Sequence, residues 1–566
     1  MSPDVHYFQP EWVEHDPRRL EVDACVYGAS AAGVVAAITL ADRGQRVALL
    51  QPGGFVGGMT TGGLGWTDLG QREAIGGAAL AFYRALGAYY RKDIEPQFEP
   101  SAAMTIFEQE LSRAGVMPLF HRYLDGVDVQ GGTITAAHFL GGLTVSARIF
   151  IDATYEGDLL AAAGVPYRVG RESNDVFGET LNGIQVRDGV DHFNRDHHQF
   201  NGPVSPYVTE NDPTSGLLPG ILDEDLRERR GQGDHRVQAY NFRVCMTDDP
   251  DLRVDWQKPD GYDPADYVLL ERWLRSEKDE FNEQVPAQDG DMTRPRKFDK
   301  LPNPTPGGYH KTDTNNHGAV SSDLIGGSDD WPEATYEQRE AIFQKHVRWQ
   351  SGMYYHIANA PGIPEKYRRA YRRWGLARDE FPDTGHWPHQ LYVREARRMS
   401  ADHVITEHDC THRTQVDDPI GLASYTMDSH NTTRFVVGQG ADARVMNEGN
   451  VEVMPSRPFG VGYRSVIPPA GSVKNLLVPI CLSASHIAYG SVRMEPVFMI
   501  LGQSVGIAAS MLLGRSSIDT HCLSYAELRP ELLKAGQVLE TSETRTWAKP
   551  VVSHLFRASA SLTRQT

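Results

Sequence analysis

Cysteine is scarce in this sequence, and the few present do not pair. Cys25, Cys245, Cys410, Cys481 and Cys522 are scattered over 566 residues without a Cys-x-x-Cys spacing. That argues against a disulfide framework or a structural zinc site and for a reducing compartment. No hydrophobic run approaches the roughly 20 residues of a membrane span. The polar opening "MSPDVHYFQPEWVEHDPRRLE" has no apolar core of the signal-peptide kind. The expectation is a cytoplasmic chain with no membrane span. Positive charge is also in deficit, with 56 Lys and Arg against 74 Asp and Glu and a net charge of -18. Nucleic acid and anionic membranes are therefore poor partners, whereas a small-molecule substrate is not excluded. There are no internal repeats. Neither a Gly-x-Ser-x-Gly nucleophile elbow nor a redox cysteine pair is expected, which leaves hydrolases and disulfide reductases unsupported. The histidine-rich piece "HFNRDHHQFNG" (192–202) lacks the His-x-x-x-His spacing of a helical metal site, so it reads as a solvated loop and no metal is expected.

What the sequence does contain begins with "DACVYGASAAGVVAAITLADRGQRVALLQPGG" (23–54). Val22 to Tyr27 reads as a buried strand, Ala31 to Arg43 as a helix and Arg46 to Leu50 as the next strand. The turn between the first two is Gly28-x-Ser30-x-x-Gly33. A dinucleotide needs a strand-to-helix turn free of side chains, so that its pyrophosphate can sit on the helix N-terminus. Serine at the second glycine weakens that fingerprint, and Gln51 replaces the usual ribose-binding acid, though its amide can still hydrogen-bond a ribose. A helix packed on a strand in any α/β protein would look similar.

The remaining layout favours FAD over a nicotinamide. "PGGFVGGMTTGGLGWTDLG" (52–70) is a long glycine-rich loop, followed by helical patterns at 76–93 and 101–115. Alternating segments separated by Gly-Gly turns predict a three-stranded meander (124–147), followed by an apolar strand ending at Asp152. The region from about 170 to 455 is rich in charge, proline, histidine and tryptophan, with one clear helical stretch at 334–358. A strand with a loop (473–485), a long apolar helix (495–514) and the amphipathic "YAELRPELLKAG" close the chain. FAD is long enough to need contacts from segments this widely separated, and no second dinucleotide fingerprint appears for a built-in NAD(P)H domain.

The chain resembles FAD-dependent oxidoreductases of the glutathione-reductase-like flavin fold. The resemblance runs from about Asp23 to Leu513, through blocks such as "GASAAGVVAAITLADRGQRVALLQPGGFVGGMTTGGL", "FIDATYEGDLLAAAGVPYRVGRES", "LYVREARRM", "YTMDSH" and "YRSVIPPAGSVKNLLVPICLSASHIAYGSVRMEPVFMILGQSVGIAAS". It implies an α/β fold with a Rossmann-like, glutathione-reductase-type FAD-binding domain and a large inserted α+β substrate domain. The expected division is a lead-in (1–21), the first part of the FAD-binding domain (22–170), the inserted substrate or cap domain (171–455), the closing FAD-binding segment (456–515) and a C-terminal helix and tail (516–566). Gly28, Ala29, Ser30, Ala31, Ala32 and Gly33 would hold the pyrophosphate and Gln51 the adenosine ribose. Gly57, Gly58, Met59 and Thr60 would line the pyrophosphate and flavin, and the Val127 backbone would meet the adenine. Asp152, Ala153 and Thr154, followed by Tyr155 and Glu156, would close over FAD. Ser485, Met494, Gly502 and Gly506 belong to the closing segment, where "GQSVGIAAS" would aim a helix N-terminus at the flavin. No histidine stands in the glycine-rich loop, which favours non-covalent FAD.

The chemistry is sought in "SASHIAYGSVRMEP", where His486 is a candidate base, with Tyr489 and Arg493 beside it. Removal of a hydride from an alcohol or amine carbon is helped by a base that takes the heteroatom proton. Asp428 and His430 would share one strand face, where a carboxylate orients an imidazole. Arg394, Arg397 and Arg398 have helical spacing, from which Tyr392 and Arg394 would reach the pocket unless the helix simply pairs with local carboxylates. "KTDTNN" (311–316) reads as a polar loop. The expected activity is oxidation of a small polar substrate, with an alcohol or sugar-like CH–OH favoured, by hydride transfer to flavin N5. The alternatives are an amine oxidase or dehydrogenase, a C=C reductase or hydroxylase using an outside reductant, and a flavin-binding scaffold or sensor. Oxygen, a quinone or a partner protein would each serve as electron acceptor.

Overall fold

In the computed structural model, which describes residues 3–186, 198–200, 202–276, 299–300, 309–316, 318–540 and 555–556, the sequence pattern at 19–50 becomes a strand–helix–strand unit. Strand β1 (Arg19–Tyr27) is partly exposed over its first half and fully buried from Ala24 to Tyr27, as a central parallel strand must be. Helix α1 (Ala31–Asp42) starts at Ser30, whose Oγ accepts the Gly33 amide proton at 3.3 Å. Strand β2 (Val47–Leu50) returns parallel to β1, with Tyr27 opposite Leu50. Helices α2 (Gly77–Tyr89) and α3 (Pro100–Ala114) follow, the latter ended by Gly115 in the left-handed region.

Strands β3 (Pro118–Leu119), β4 (Leu124–Gln130), β5 (Thr133–Phe139) and β6 (Thr144–Asp152) complete the first sheet in the order β3-β2-β1-β6-β5-β4. The meander differs from expectation in one respect. Only two Gly-Gly turns, 131–132 and 141–142, separate its strands, so its third strand is itself the one ending at Asp152. β6 pairs antiparallel with β5 and parallel with β1, which places Asp152 opposite Tyr27.

The middle of the chain contributes a second sheet. Strands β7 (Val244–Thr247), β8 (Arg253–Val254), β9 (Asp299–Lys300), β10 (Lys311–Thr314) and β11 (Gly375–Ala377) lie in the order β8-β11-β7-β10-β9, and helix α4 (Tyr336–Asn359) carries a Thr335/Gln338 capping box. Two sequence expectations are corrected here. "KTDTNN" is not a loop: its first four residues are β10, all buried, because each charge finds a partner. Lys311 reaches Glu99 at 2.8 Å and Asp379 at 2.5 Å, and Asp313 binds Arg243 and the amides of Gly65 and Trp66. "LYVREARRM" forms no helix. Residues 391–397 are irregular and buried, and the arginines pair with carboxylates distant in sequence: Arg394 with Asp323, Arg397 with Asp158 and Arg398 with Glu172. Most of the histidine-rich piece 192–202 falls outside the described residues.

Strands β12 (Met427–Ser429) and β13 (Val451–Val453) form an antiparallel pair, and β14 (Leu476–Leu477) joins the first sheet parallel to β6. Helices α5 (His486–Val492), α6 (Glu495–Leu513) and α7 (Tyr525–Lys534) finish the fold. Contrary to the sequence reading, one helix among the described residues, α6, is long and apolar enough to cross a membrane, but it packs inside the protein against α1. Residues 502–506 also spell Gly-x-Ser-x-Gly. They sit in the middle of α6 rather than at a strand-to-helix elbow, and Ser504 Oγ donates to the Ile420 carbonyl. One continuous apolar core joins both sheets.

Candidate cofactor and substrate site

Parallel strands in register bring their carboxyl ends to one edge. Leu119, Leu50, Tyr27 and Asp152 are successive partners across β3, β2, β1 and β6. At about 4.8 Å per strand those four ends span about 14 Å. A cavity of about 550 Å³ lies along that edge. Its floor is Gly28, Ser30, Gln51, Ala153 and Thr154, with Gly53, Gly54 and His121 at the β2/β3 end and Tyr155, Glu156 and Leu391 at the other. A crevice at the carboxyl ends of parallel strands, in front of a helix N-terminus, is where α/β proteins bind dinucleotides.

The turn has no space for side chains. Gly28 has φ +94°, and a Cβ there would lie 2.5 Å from the Ala153 carbonyl carbon. A Cβ on Gly33 would lie 1.8 Å from the Gly28 oxygen. The first-turn amides of α1, including those of Ala31 and Ala32, have no acceptor within the helix and are available to an anion. Two further polar atoms on the cavity wall, His121 Nδ1 and His389 Nε2, are buried without a hydrogen-bond partner among the described residues. Together, a helix N-terminus, a side-chain-free turn and orphaned ring nitrogens fit a long phosphate-bearing ligand. Burial pushes the His389 imidazole down to about 3, so it faces the cavity uncharged. It stacks on Phe55 at 4.0 Å, and His121 lies under Gly54. The fold thus brings to the glycine-rich loop the histidines that its sequence lacks.

The residues proposed for the cofactor divide into wall and support. Gly28, Ser30, Gln51, Gly58, Ala153 and Thr154 line the cavity. Ser30 spends its hydroxyl proton on the Ala153 carbonyl at 2.7 Å, and Gln51 Oε1 accepts the Ala29 amide at 2.7 Å, so both brace the turn. Asp152 accepts from the amides of Thr154 and Leu160 and from the Thr154 hydroxyl, and its carboxyl is pushed up to about 6 by burial. It holds the strand end in shape. Gly57 donates its amide to Ala29 O at 2.6 Å, and Ser485 and Met494 stand at the N-termini of α5 and α6. Three of the expected positions lie off the cavity wall. Val127 lies on β4 at the far edge of the sheet, away from the cavity wall. Gly502 and Gly506 contact α1, where a Cβ on Gly502 would lie 2.3 Å from Ala32 O, so they serve helix packing. The N-terminus of α6 lies at Glu495, seven residues before Gly502, and is tied to the cavity wall through Tyr155.

Glu495 is a residue that sequence reasoning missed. Its carboxylate accepts from the hydroxyls of Thr60 and Tyr155, both at 2.7 Å, and Tyr155 OH in turn accepts the Met59 amide. It thereby ties the glycine-rich loop to the end of β6. Burial pushes its carboxyl up to about 7. A folded-state pKa above the unfolded value means that its contribution is fully present below about pH 4.5 and is lost as the pH rises through about 7. Glu495→Gln should match the wild type at pH 4.5 and be more stable by about 3 kcal/mol above pH 7. Urea melts of the two apoproteins at both pH values check this. An acid directly before proline at the start of an apolar run was the available signal.

Behind Leu391 and Tyr155 lies a buried polar cluster that joins five of the seven proposed catalytic residues. His430 Nδ1 sits 2.9 Å from Asp323 and Nε2 3.4 Å from Asp428. Arg493 donates to Asp428 at 3.1 Å and to the Tyr392 hydroxyl at 3.0 Å. Arg394 pairs with Asp323 at 2.8 Å and lies over the Tyr392 ring, 4.6 Å from its centroid. Burial would raise the Asp428 carboxyl, but His430 and Arg493 outweigh it and hold it well below the carboxylate range. Burial raises the Tyr392 hydroxyl despite Arg493. The cluster reaches solvent through Asp428, whose side chain is 17% exposed. His486 and Tyr489 sit one layer back. His486 is held by Glu395 at 2.7 Å and Ser429 at 3.1 Å, and Tyr489 is buried on α5. Asp323 carries no motif of its own, and Glu395, inside "LYVREARRM", is masked by the arginines around it; both become visible only once the fold brings them to the histidines.

Fold and site together have the form of a dinucleotide-binding α/β protein, with a crevice at the strand ends and a polar cluster behind its wall. The chain belongs to the FAD dependent oxidoreductase family, whose model matches residues 23–532. No curated protein matches it. Among solved structures, it is similar to L-proline dehydrogenase from P. horikoshii (16% identity over 28% of this chain and 59% of that one, TM-score 0.22). It is also similar to an open conformation of a flavocytochrome c3 fumarate reductase (12% identity over 24% and 33%, TM-score 0.18). A third is a geranylgeranyl bacteriochlorophyll reductase-like protein from Thermoplasma acidophilum (13% identity over 26% and 43%, TM-score 0.20). The chain thus spans less than two thirds of the length of each of these proteins.

Proposed function

We propose that this chain oxidises a small polar organic substrate, a CH–OH carbon of an alcohol or sugar by preference. In this reading residues 22–170 and 456–515 form a glutathione-reductase-type domain, and residues 171–455 form an inserted lobe over the reacting face. The Gly28–Gly33 turn and first-turn amides of α1 would hold the pyrophosphate of FAD, and Gly57–Thr60 with Tyr155 its ring end. When bound, FAD supplies a hydride acceptor at N5.

The observation that carries the reading is the Asp323–His430–Asp428–Arg493 chain, buried but open to solvent at one carboxylate, directly behind the cavity wall. Asp323 fixes the proton on His430 Nδ1, and Nε2, which faces Asp428 at 3.4 Å, would take the substrate's hydroxyl proton where that carboxylate meets solvent. The anionic Asp428 then stabilises the imidazolium. The Nε atoms of Arg394 and Arg493 are buried and have no acceptor among the described residues. They flank Tyr392 and supply donors for a substrate oxygen, which favours a polar substrate over an apolar one. His486, held at both nitrogens, positions β12 through Ser429. Anaerobic mixing of the holoenzyme with alcohols, sugars, amines and NADPH tests the assignment. Bleaching of the flavin by hydroxyl compounds is expected; bleaching by amines or NADPH alone would contradict it.

A further inference from the structure

The residues ahead of β1 are not a loose lead-in. Val5 and Phe8 are buried, 1% and 4% exposed. The segment from Asp4 to Trp12 crosses the cavity mouth lengthwise, with Trp12 against His121 near the β2/β3 end (ring centroids 4.9 Å apart) and Tyr7 against Trp331 and Phe343 toward the other. Its backbone is held by one carboxylate of α4. Glu340 accepts the Tyr7 and Phe8 amides at 2.7 and 3.0 Å and lies 2.7 Å from His6 Nδ1. Gln344, one turn on, donates to Val5 O at 2.7 Å. Meanwhile the residues assigned to the adenosine from sequence are otherwise employed: Gln51 Oε1 is bound to Ala29, and Val127 lies at the far sheet edge. The β2/β3 end of the cavity instead offers Trp12, the peptide faces of Pro52–Gly54 and His121, whose buried Nδ1 has no partner among the described residues.

We propose that Asp4–Trp12 is a clasp over the cofactor, in which Trp12 and His121, packed on one another, form one wall against which the adenine ring lies, and Glu340 latches the segment shut. This rests on the reading of the cavity as the FAD site. A flat heteroaromatic base needs a π-face and one or two ring hydrogen-bonding groups, and indole and imidazole at the cavity rim supply both. Because the latch is on α4, outside the sheet that carries the cavity floor, the clasp couples cofactor retention to the middle of the chain.

The test is equilibrium binding of FAD and of FMN, which lacks the adenylate, to apoprotein by flavin fluorescence. The wild type should bind FAD more tightly than FMN. Trp12→Ala should weaken FAD about tenfold or more while leaving FMN within about twofold, and Trp12→Phe should restore most of the preference. Glu340→Gln should speed FAD release by a similar factor. Equal loss of both flavins, or unchanged FAD affinity in Trp12→Ala, would overturn the clasp while leaving the cavity reading intact. Failure of the wild type to bind either flavin would instead overturn the cavity reading on which it rests. Thermal melts of the apo variants separate misfolding from lost binding, and Trp12→Phe keeps the test decisive if the alanine variant unfolds.

Discussion

Replacing His430 by glutamine should lower kcat by about 10²- to 10⁴-fold, the usual contribution of a positioned general base. The amide keeps a polar group near Asp323 and Asp428, so the packing survives while proton uptake is lost. Bound flavin and its visible spectrum should be unchanged, and the loss should appear in the rate of anaerobic flavin reduction. If His430→Gln reduces its flavin at the wild-type rate, the proton goes elsewhere, and His486 with Glu395 is the next candidate. His486→Gln, by contrast, removes a side chain that touches Ser429 and Glu395, and should act mainly on stability.

Gly28→Ala should strip the purified protein of its cofactor by weakening binding. The backbone at Gly28 has φ +94°, which costs a residue with a Cβ about 1–3 kcal/mol. The added methyl would meet the Ala153 carbonyl carbon and oxygen at 2.5 Å and the Thr154 nitrogen at 2.6 Å. These are backbone atoms of the adjoining β6 end and cannot swing aside as a flexible side chain would. Relief requires the turn to move away from β6, which displaces the N-terminus of α1 from the phosphate position. FAD affinity should fall by about 100-fold or more, while far-ultraviolet circular dichroism stays close to that of the wild type. Purified variant protein that keeps stoichiometric yellow cofactor would contradict this.

The sequence announces its nucleotide-binding half well because that half depends on local rules. A buried strand, a small-residue turn and an alanine-rich helix follow one another within 25 to 40, so Gly28, Ser30 and Gly33 are legible at once. The pairing of Asp428 with His430 is likewise local. The remainder is set by long-range pairing. Arg394, Arg397 and Arg398 have helical spacing, but their partners Asp323, Asp158 and Glu172 come from three other segments and pull the chain into an irregular buried path. Lys311 and Asp313 look like loop residues until Glu99 and Arg243 neutralise them in a strand. Gly502 and Gly506 suggest a ligand because glycine marks close approach, and here the close approach is to α1. The N-terminal segment gave no signal, since its latch on Glu340 is more than 300 residues away.

The account stands on one placement, FAD lying along the carboxyl ends of β3, β2, β1 and β6 with its reacting end toward the His430–Arg493 chamber. A crystallographic map of the FAD-loaded protein tests this directly. It should place the pyrophosphate at the first turn of α1 and the ring system at the Tyr155 and Leu391 end of the cavity. Density for the flavin at the opposite end, or outside this cavity altogether, would contradict the account.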